Sequence, residues 1–321
     1  MSGMFGGASS FNQDISSWDV SKVIDISDMF EDSELFNQDI SRWPLFSLDF
    51  DRSTDWDGFA SDHIQEILDD LSDEEDYFVI ARDTTLTSSN IDDAVHNRNS
   101  DAIKTAYGEI QNWDTTYVSN MKSIFANETT FNEDISNWNV TNVTDMSEMF
   151  RDASSFNVDI SNWNVSKVTQ MQKMFEDASE FNIDINNWNV SSVTNMEYMF
   201  YHAYLFNGNI GGWNVSSVKS MEWMFLQADK FNVNIGDWNV SKVENMSHMF
   251  TSAMDFNQDI GTWNVSSVTD FYNMFLDANS FNQDLSKWTT SQKHYDVVFA
   301  QNSGMDGYID HYPDDWTGSY D

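Results

Sequence analysis

Trp138, Trp163, Trp188, Trp213, Trp238, Trp263 and Trp288 stand 25 residues apart, and Trp113 extends the series backwards. Trp18 and Trp43 form a separate pair with the same step. A chain that returns to one residue type at a fixed interval folds as an array of equivalent units, and every recurring residue must be read first as part of that array. The sentence between the tryptophans recurs too: "FNEDISNWNVTNVTDMSEMFRDA" (131–153) is followed by "FNVDISNWNVSKVTQMQKMFEDA" (156–178) and "FNIDINNWNVSSVTNMEYMFYHA" (181–203). The 70 residues from Trp43 to Trp113 exceed one period by 45, which splits the array in two.

Two periodicities alternate within a unit. Ile160, Trp163 and Val165 lead into an apolar alternation of period two, which predicts a short strand with one buried face. Met146, Met149, Phe150 and Ala153 fall at i, i+3, i+4 and i+7, which predicts one or two turns of helix, with the methionines packed in the core. A strand and a helix in so short a unit cannot pair within themselves. Strands of successive units are therefore expected to stack in parallel, about 4.8 Å apart, with the right-handed crossover general for parallel connections.

The 53 acidic residues against 15 basic ones give a formal net charge of −38. That balance excludes nucleic acid and anionic membrane as natural partners and favours divalent cations or basic ones. Without cysteine there is no disulfide framework, thiolate metal site or cysteine nucleophile, and the compartment stays open. No run of 18 apolar residues is present, so direct membrane insertion is not expected. "MSGMFGGASSFNQDISSWDV" lacks the basic and apolar regions of a signal peptide and aligns with the middle of a repeat (146–165), which predicts that further sequence lies upstream.

The pattern F-N-x-D-I-S-x-W-x-V-S-x-V-T-x-M-x-x-M-F-x-x-A resembles that of the BspA-like leucine-rich-repeat surface proteins, in the 25-residue variety of Mycoplasma lipoproteins, over residues 1–43 and about 113–300. The resemblance implies an α/β solenoid, a leucine-rich-repeat-like right-handed coil of strand–helix units with a stacked parallel sheet, on a cell or particle surface. It implies no catalytic residues. "IKTAYGEIQNWDTTYVSNM" (103–121) looks like the cap that opens such arrays. The domain reading is then 1–43 as the end of a first array, 44–100 as an acidic linker or insert, 101–300 as a second array with its N-terminal cap, and 301–321 as a C-terminal cap or docking tail. Tyr308, Tyr312 and Trp316 supply apolar cover there.

Several residues invite a chemical reading. Asp134, Asp159, Asp184, Asp259 and Asp284 share one register, with Asn209 and Asn234 in the middle places. Carboxylates about 5 Å apart repel by roughly 1 kcal/mol in water. The offset comes either from backbone N–H groups in the turn or from Ca²⁺ bridging neighbouring units. Asp51, Asp55 and Asp57 before Gly58 suggest a weaker calcium loop, but placing Gly58 at loop position six sets Ile64 where a bidentate Glu belongs. Residues 44–112 carry 17 acidic and four basic residues, and "HIQEILDDLSDEED" can form a short amphipathic helix. Asn139, Asn164, Asn189, Asn214, Asn239 and Asn264 satisfy the glycosylation pattern, yet an Asn after every buried Trp suits a turn-bonding role. Asn127 and Asn245 sit elsewhere in the unit and are the candidate glycosylation sites. No histidine pair at i, i+3 or i+4, phosphate loop or nucleophile elbow is present.

These observations predict a non-catalytic extracellular or surface scaffold for adhesion or filament assembly, with protein partners or self-association through the ends of the solenoid. The alternative is a calcium- or ligand-binding module working through the acidic column. An ice-binding face on Thr144, Thr169 and Thr194 comes third, its column broken by Lys219 and Glu244.

Overall fold

The structure, a computed structural model, describes residues 3–13, 15, 18, 29–30, 33, 35–36, 85–290, 299–306 and 308–313. The chain divides into two compact units, one of Met1–Thr85 with Asn99–Gly108 and one of Leu86–Arg98 with Glu109–Asp321.

In the second unit the repeat is built from turns. Parallel bridges join Asn120, Asp145, Gln170, Asn195, Ser220, Asn245 and Asp270 in succession, each isolated, and among the described residues the 25-residue units contain neither a helix nor a longer strand. The expected strand segment is a pair of turns, with Trp163 N–H bonded to Ile160 and Val168 N–H to Val165. The expected helix fails for a reason visible in its backbone. Glu148 and Asp152 lie in the left-handed region, at φ 59° and 60°, where a right-handed helix cannot continue. Every second N–H then leaves the rung: Met146, Glu148, Phe150 and Asp152 donate to the carbonyls of Gln170, Gln172, Met174 and Glu176 at 3.1, 3.0, 2.9 and 2.8 Å. The residues between them bond within the rung, Met149 to Met146, Arg151 to Glu148 and Ala153 to Phe150. Both sets of donors are satisfied without regular secondary structure.

The interior follows the same step. Phe150, Phe175, Phe200, Phe225 and Phe250 stack with centroids 5.5–5.6 Å apart. A second column, Phe156 to Phe281, runs beside it, and within a rung the two rings lie 3.8 Å apart at Phe150–Phe156 and 3.9 Å at Phe175–Phe181. The Met, Ile, Val and Ala positions of these rungs are equally buried. Each repeat Trp from Trp138 to Trp288 sends its indole N–H to the Ile carbonyl 28 residues earlier, as Trp213 does to Ile185 at 3.0 Å, so the largest core residue also bonds its neighbour.

The first rung is covered by residues expected to be linker. Leu86, Ile91, Ala94 and Val95 are buried, the last three on helix α1 (Ile91–His96). Thr87 forms a parallel bridge with Tyr117, and Ser88 Oγ accepts from Ser119 and Asn120 N–H at 2.9 and 3.0 Å. Arg98 lies over the Phe131 ring at 5.2 Å and binds Glu128 and Glu133 at 2.8 and 2.7 Å. The cap is therefore Leu86–Arg98 with the short turn of 3₁₀ helix at Ile110–Asn112, and not the whole of 103–121; helix α2 (Asp101–Tyr107) groups with the other unit. At the far end Phe299 and Gln301 accept from Phe275 and Asp277 N–H at 2.8 and 2.9 Å, and His311 from Leu285 N–H at 2.9 Å. Met305 is buried there and Tyr312 packs edge-on to Phe299, while Tyr308 is half exposed; Trp316 lies outside the described residues.

The other unit repeats the aromatic geometry. Phe5–Phe11 and Phe30–Phe36 pair at 4.0 Å within their rungs, Phe5–Phe30 and Phe11–Phe36 stack at 5.6 and 5.8 Å, and Phe5 N–H donates to Met29 at 2.8 Å. Gly3 and Gly7 lie there in the left-handed region, at φ 61° and 70°, and take that conformation without a Cβ penalty.

Candidate contact surface

The rungs keep their core and ladder residues and vary at several exposed registers, among them the left-handed turns. In one register the residues are Glu148, Lys173, Tyr198, Trp223, His248 and Asn273, all at φ between 55° and 60°. Three positions on come Arg151, Glu176, Tyr201, Leu226, Thr251 and Leu276. Inter-rung bonding here is carried by backbone N–H and C=O groups, which every residue type supplies. Apart from the buried Leu226, Thr251 and Asn273, the side chains are thereby released from the fold and form a surface of their own.

That surface changes along the stack. Its early rungs are salt-bridged: Glu148 pairs with Arg151 at 2.6 Å and with Lys122 at 3.5 Å, and Lys173 with Glu176 at 3.1 Å. Its middle rungs are aromatic. Tyr198 and Trp223 stack at 5.6 Å with 3° between planes, Trp223 and His248 at 4.0 Å, and Tyr272 meets His248 edge-on at 5.3 Å. Tyr201 packs on His202 at 3.8 Å, and His202 Nδ1 lies 2.8 Å from Asp177. The Lys173 ammonium lies 4.7 Å from the centre of the Tyr198 ring. Glu222 accepts from Trp223 Nε1 at 2.8 Å and Asn245 Nδ2 at 3.1 Å, and Glu197 from Asn195 Nδ2 at 3.2 Å.

Burial raises the Tyr198 hydroxyl pKa, and the charges of Glu222, Glu176 and Glu197 raise it further. Burial also raises Tyr201, with Asp177 and Glu176 adding to it. His248 is lowered by burial, partly opposed by Glu222 and Asp270. These shifts describe half-buried rings in a negative field. None of these residues was singled out by motif; the signal that finds them is a change of residue type at a fixed register in an otherwise constant unit.

The acidic column has a different job. Asp134, Asp159, Asp184, Asp259 and Asp284 are exposed, and Oδ1 of each accepts the N–H two residues on at 2.9–3.0 Å; Asn209 and Asn234 do the same. Turn N–H groups thus stabilise the carboxylates. No group of three His, Asp or Glu side chains able to hold a metal ion occurs among the described residues. Asp51, Asp55 and Asp57, and the amphipathic segment after them, lie outside the described residues.

Asn164, Asn189, Asn214, Asn239 and Asn264 each accept the N–H two residues on at 3.2 Å. Asn245 is engaged on both sides of its amide, by Glu222 and by Ser247. Asn127 is exposed at φ 66°. A further asparagine column was not anticipated: the Asn after each Phe, from Asn132 to Asn257, accepts with Oδ1 the N–H of the Asn one rung later at 2.8–3.0 Å. No helix among the described residues is long and apolar enough to cross a membrane.

A family model described as "Mycoplasma protein of unknown function, DUF285" matches residues 1–53, 93–211 and 204–312. No curated protein and no solved structure matches the chain.

Proposed function

We propose that this chain, which belongs to that repeat family of unknown function, is a non-catalytic adhesive scaffold of the cell surface or extracellular space. Its stacked rungs form a right-handed solenoid related to the BspA-like leucine-rich repeats, with turns in place of helices. One observation carries the reading: the rungs hold their core and ladder residues constant, while the left-handed register changes residue type at every rung and turns aromatic in the middle of the stack, its backbone N–H groups keeping the rungs joined. A varied and partly aromatic surface on a constant stack is what a contact surface for a macromolecule requires. Helix α1 and the 299–313 segment pack on the first and last rungs of this stack, which supports adhesion through its side.

Beads carrying the full chain test this by adhesion to cells and to extracellular matrix. Replacing Tyr198, Trp223 and His248 by Ser abolishes adhesion while the chain stays folded; replacing the exposed Asn187 and Asp237 by Ser leaves it unchanged. Equal adhesion by both variants would overturn the proposal.

A further inference from the structure

We infer that the aromatic rungs of the turn surface dock a basic polypeptide segment, one bearing Arg or Lys side chains, laid across the rim formed by Tyr198, Trp223, Glu197 and Glu222. This rests on reading that surface as the contact surface and names the chemistry of its partner. The first argument is what the rings leave free. Trp223 is covered on both faces, by Tyr198 at 5.6 Å and His248 at 4.0 Å, so its remaining exposure is along its edge. A sugar ring or flat ligand needs an open ring face, which is missing at Trp223. A partner that delivers N–H donors to a rim of ring edges, hydroxyls and carboxylates has what it needs.

The second argument is charge. Three carboxylates, Glu222, Glu176 and Glu197, act on the Tyr198 hydroxyl, and Glu197 and Glu222 bond neutral N–H groups of Asn195, Asn245 and Trp223. The rim therefore keeps negative charge that a cation can neutralise. The protein already places one there. Lys173 sits 4.7 Å from the Tyr198 ring centre and 3.1 Å from a Glu176 oxygen, a ring and a carboxylate taking one ammonium together. The net charge of −38 adds long-range attraction for a polycation and repels an anionic partner.

The test uses the full chain and a fluorescein-labelled peptide of alternating Arg and Ser, with a Glu-for-Arg peptide and a chitin oligosaccharide as comparison probes. Fluorescence anisotropy at physiological salt is expected to show binding of the Arg peptide alone. E197Q/E222Q is expected to weaken it by about tenfold or more. Y198S/W223S weakens it comparably, and circular dichroism confirms that both variants are folded. D134N/D159N removes the same formal charge from the other turn while keeping its hydrogen bonds, and is expected to change binding by less than about twofold. Equal losses in the two charge variants would mean general attraction to an acidic protein and overturn the proposal, as would oligosaccharide binding or no binding of the Arg peptide. If adhesion falls in the Ser variants yet excess Arg peptide does not compete with it, the contact surface stands and the basic partner falls. If adhesion survives those variants, the contact surface itself falls.

Discussion

Two exposed regions of one rung obey opposite rules. On the side that carries Asn207, the residue type is the same in rung after rung although the side chain is in water, because its Oδ1 accepts Asn232 N–H at 3.0 Å. On the side that carries Trp223, residue type changes at every rung, because Trp223 N–H bonds the Ser247 carbonyl at 3.0 Å whatever the side chain is. Where a side chain completes the ladder, stacking dictates it; where the backbone completes the ladder alone, the side chain is free for recognition. Exposure does not decide which positions vary.

The sharpest way to break this comparison uses two tryptophans of one rung. Trp213 is 3% exposed, stacks on Trp188 and Trp238 at 6.5 and 6.3 Å, and donates to the Ile185 carbonyl. Trp213→Ala opens a cavity and leaves the Ile185 carbonyl with the Trp188 N–H as its remaining donor, so it is expected to cost about 3–5 kcal/mol. Trp223→Ala removes a half-buried ring and its contacts with Tyr198 and His248, at about 1 kcal/mol. Urea unfolding of the two variants measures both values. Similar losses would mean that the turn surface is part of the core after all.

The same contrast explains what could be read from the chain beforehand. The spacing of Trp138 to Trp288 and the apolar positions between them identify the buried residues, since burial selects side chains directly. The apolar spacing of Met146, Met149, Phe150 and Ala153 suits a helix equally well, because left-handed Glu148 and Asp152 between turns return the same residues to one side. Nothing in Glu, Lys, Tyr or Trp announces a positive φ. Gly3 and Gly7 do, but they occur in the other unit, and only the alignment of the two units carries their message across. The Asn132 column escapes for another reason: its partner lies 25 residues away, where no local motif can reveal a hydrogen bond. Leu86–Arg98 reads as linker in sequence because the acidic residues around it mask a few buried apolar ones.

A smaller pair of substitutions sharpens the rule with opposite signs. Asn207→Ala leaves Asn232 N–H without its inter-rung acceptor and is expected to cost about 1 kcal/mol. Gln227, at φ 52°, pays the left-handed cost that Gly7 avoids in the other unit, so Gln227→Gly is expected to stabilise by about 1 kcal/mol. Chemical denaturation of the two variants gives the signs. A destabilising Gln227→Gly would show that its side chain contributes to the stack more than its backbone strain costs.

The finest effect separates hydrogen bonding from charge in the constant turn. Asp134, Asp159 and Asp284 have pKa values held below the ordinary Asp range by the side chains and then the backbone N–H groups of Ser136, Ser161 and Ser286. Folded pKa values below the unfolded one mean that the unfolded chain binds more protons in acid. The stabilisation is therefore complete above about pH 4 and is lost as pH falls through the lower folded values. Asn at these positions keeps the Oδ1 acceptor, as Asn209 and Asn234 already do in the same register. The triple variant D134N/D159N/D284N is thus expected to match the parent's melting temperature at neutral pH within a few degrees and to lose less of it between pH 4 and pH 2. Thermal melts followed by circular dichroism across that range compare the slopes. Equal slopes would place the acid sensitivity on other carboxylates. A large drop at neutral pH would instead show that the charge itself, beyond the acceptor that Asn shares with Asp, holds the turn.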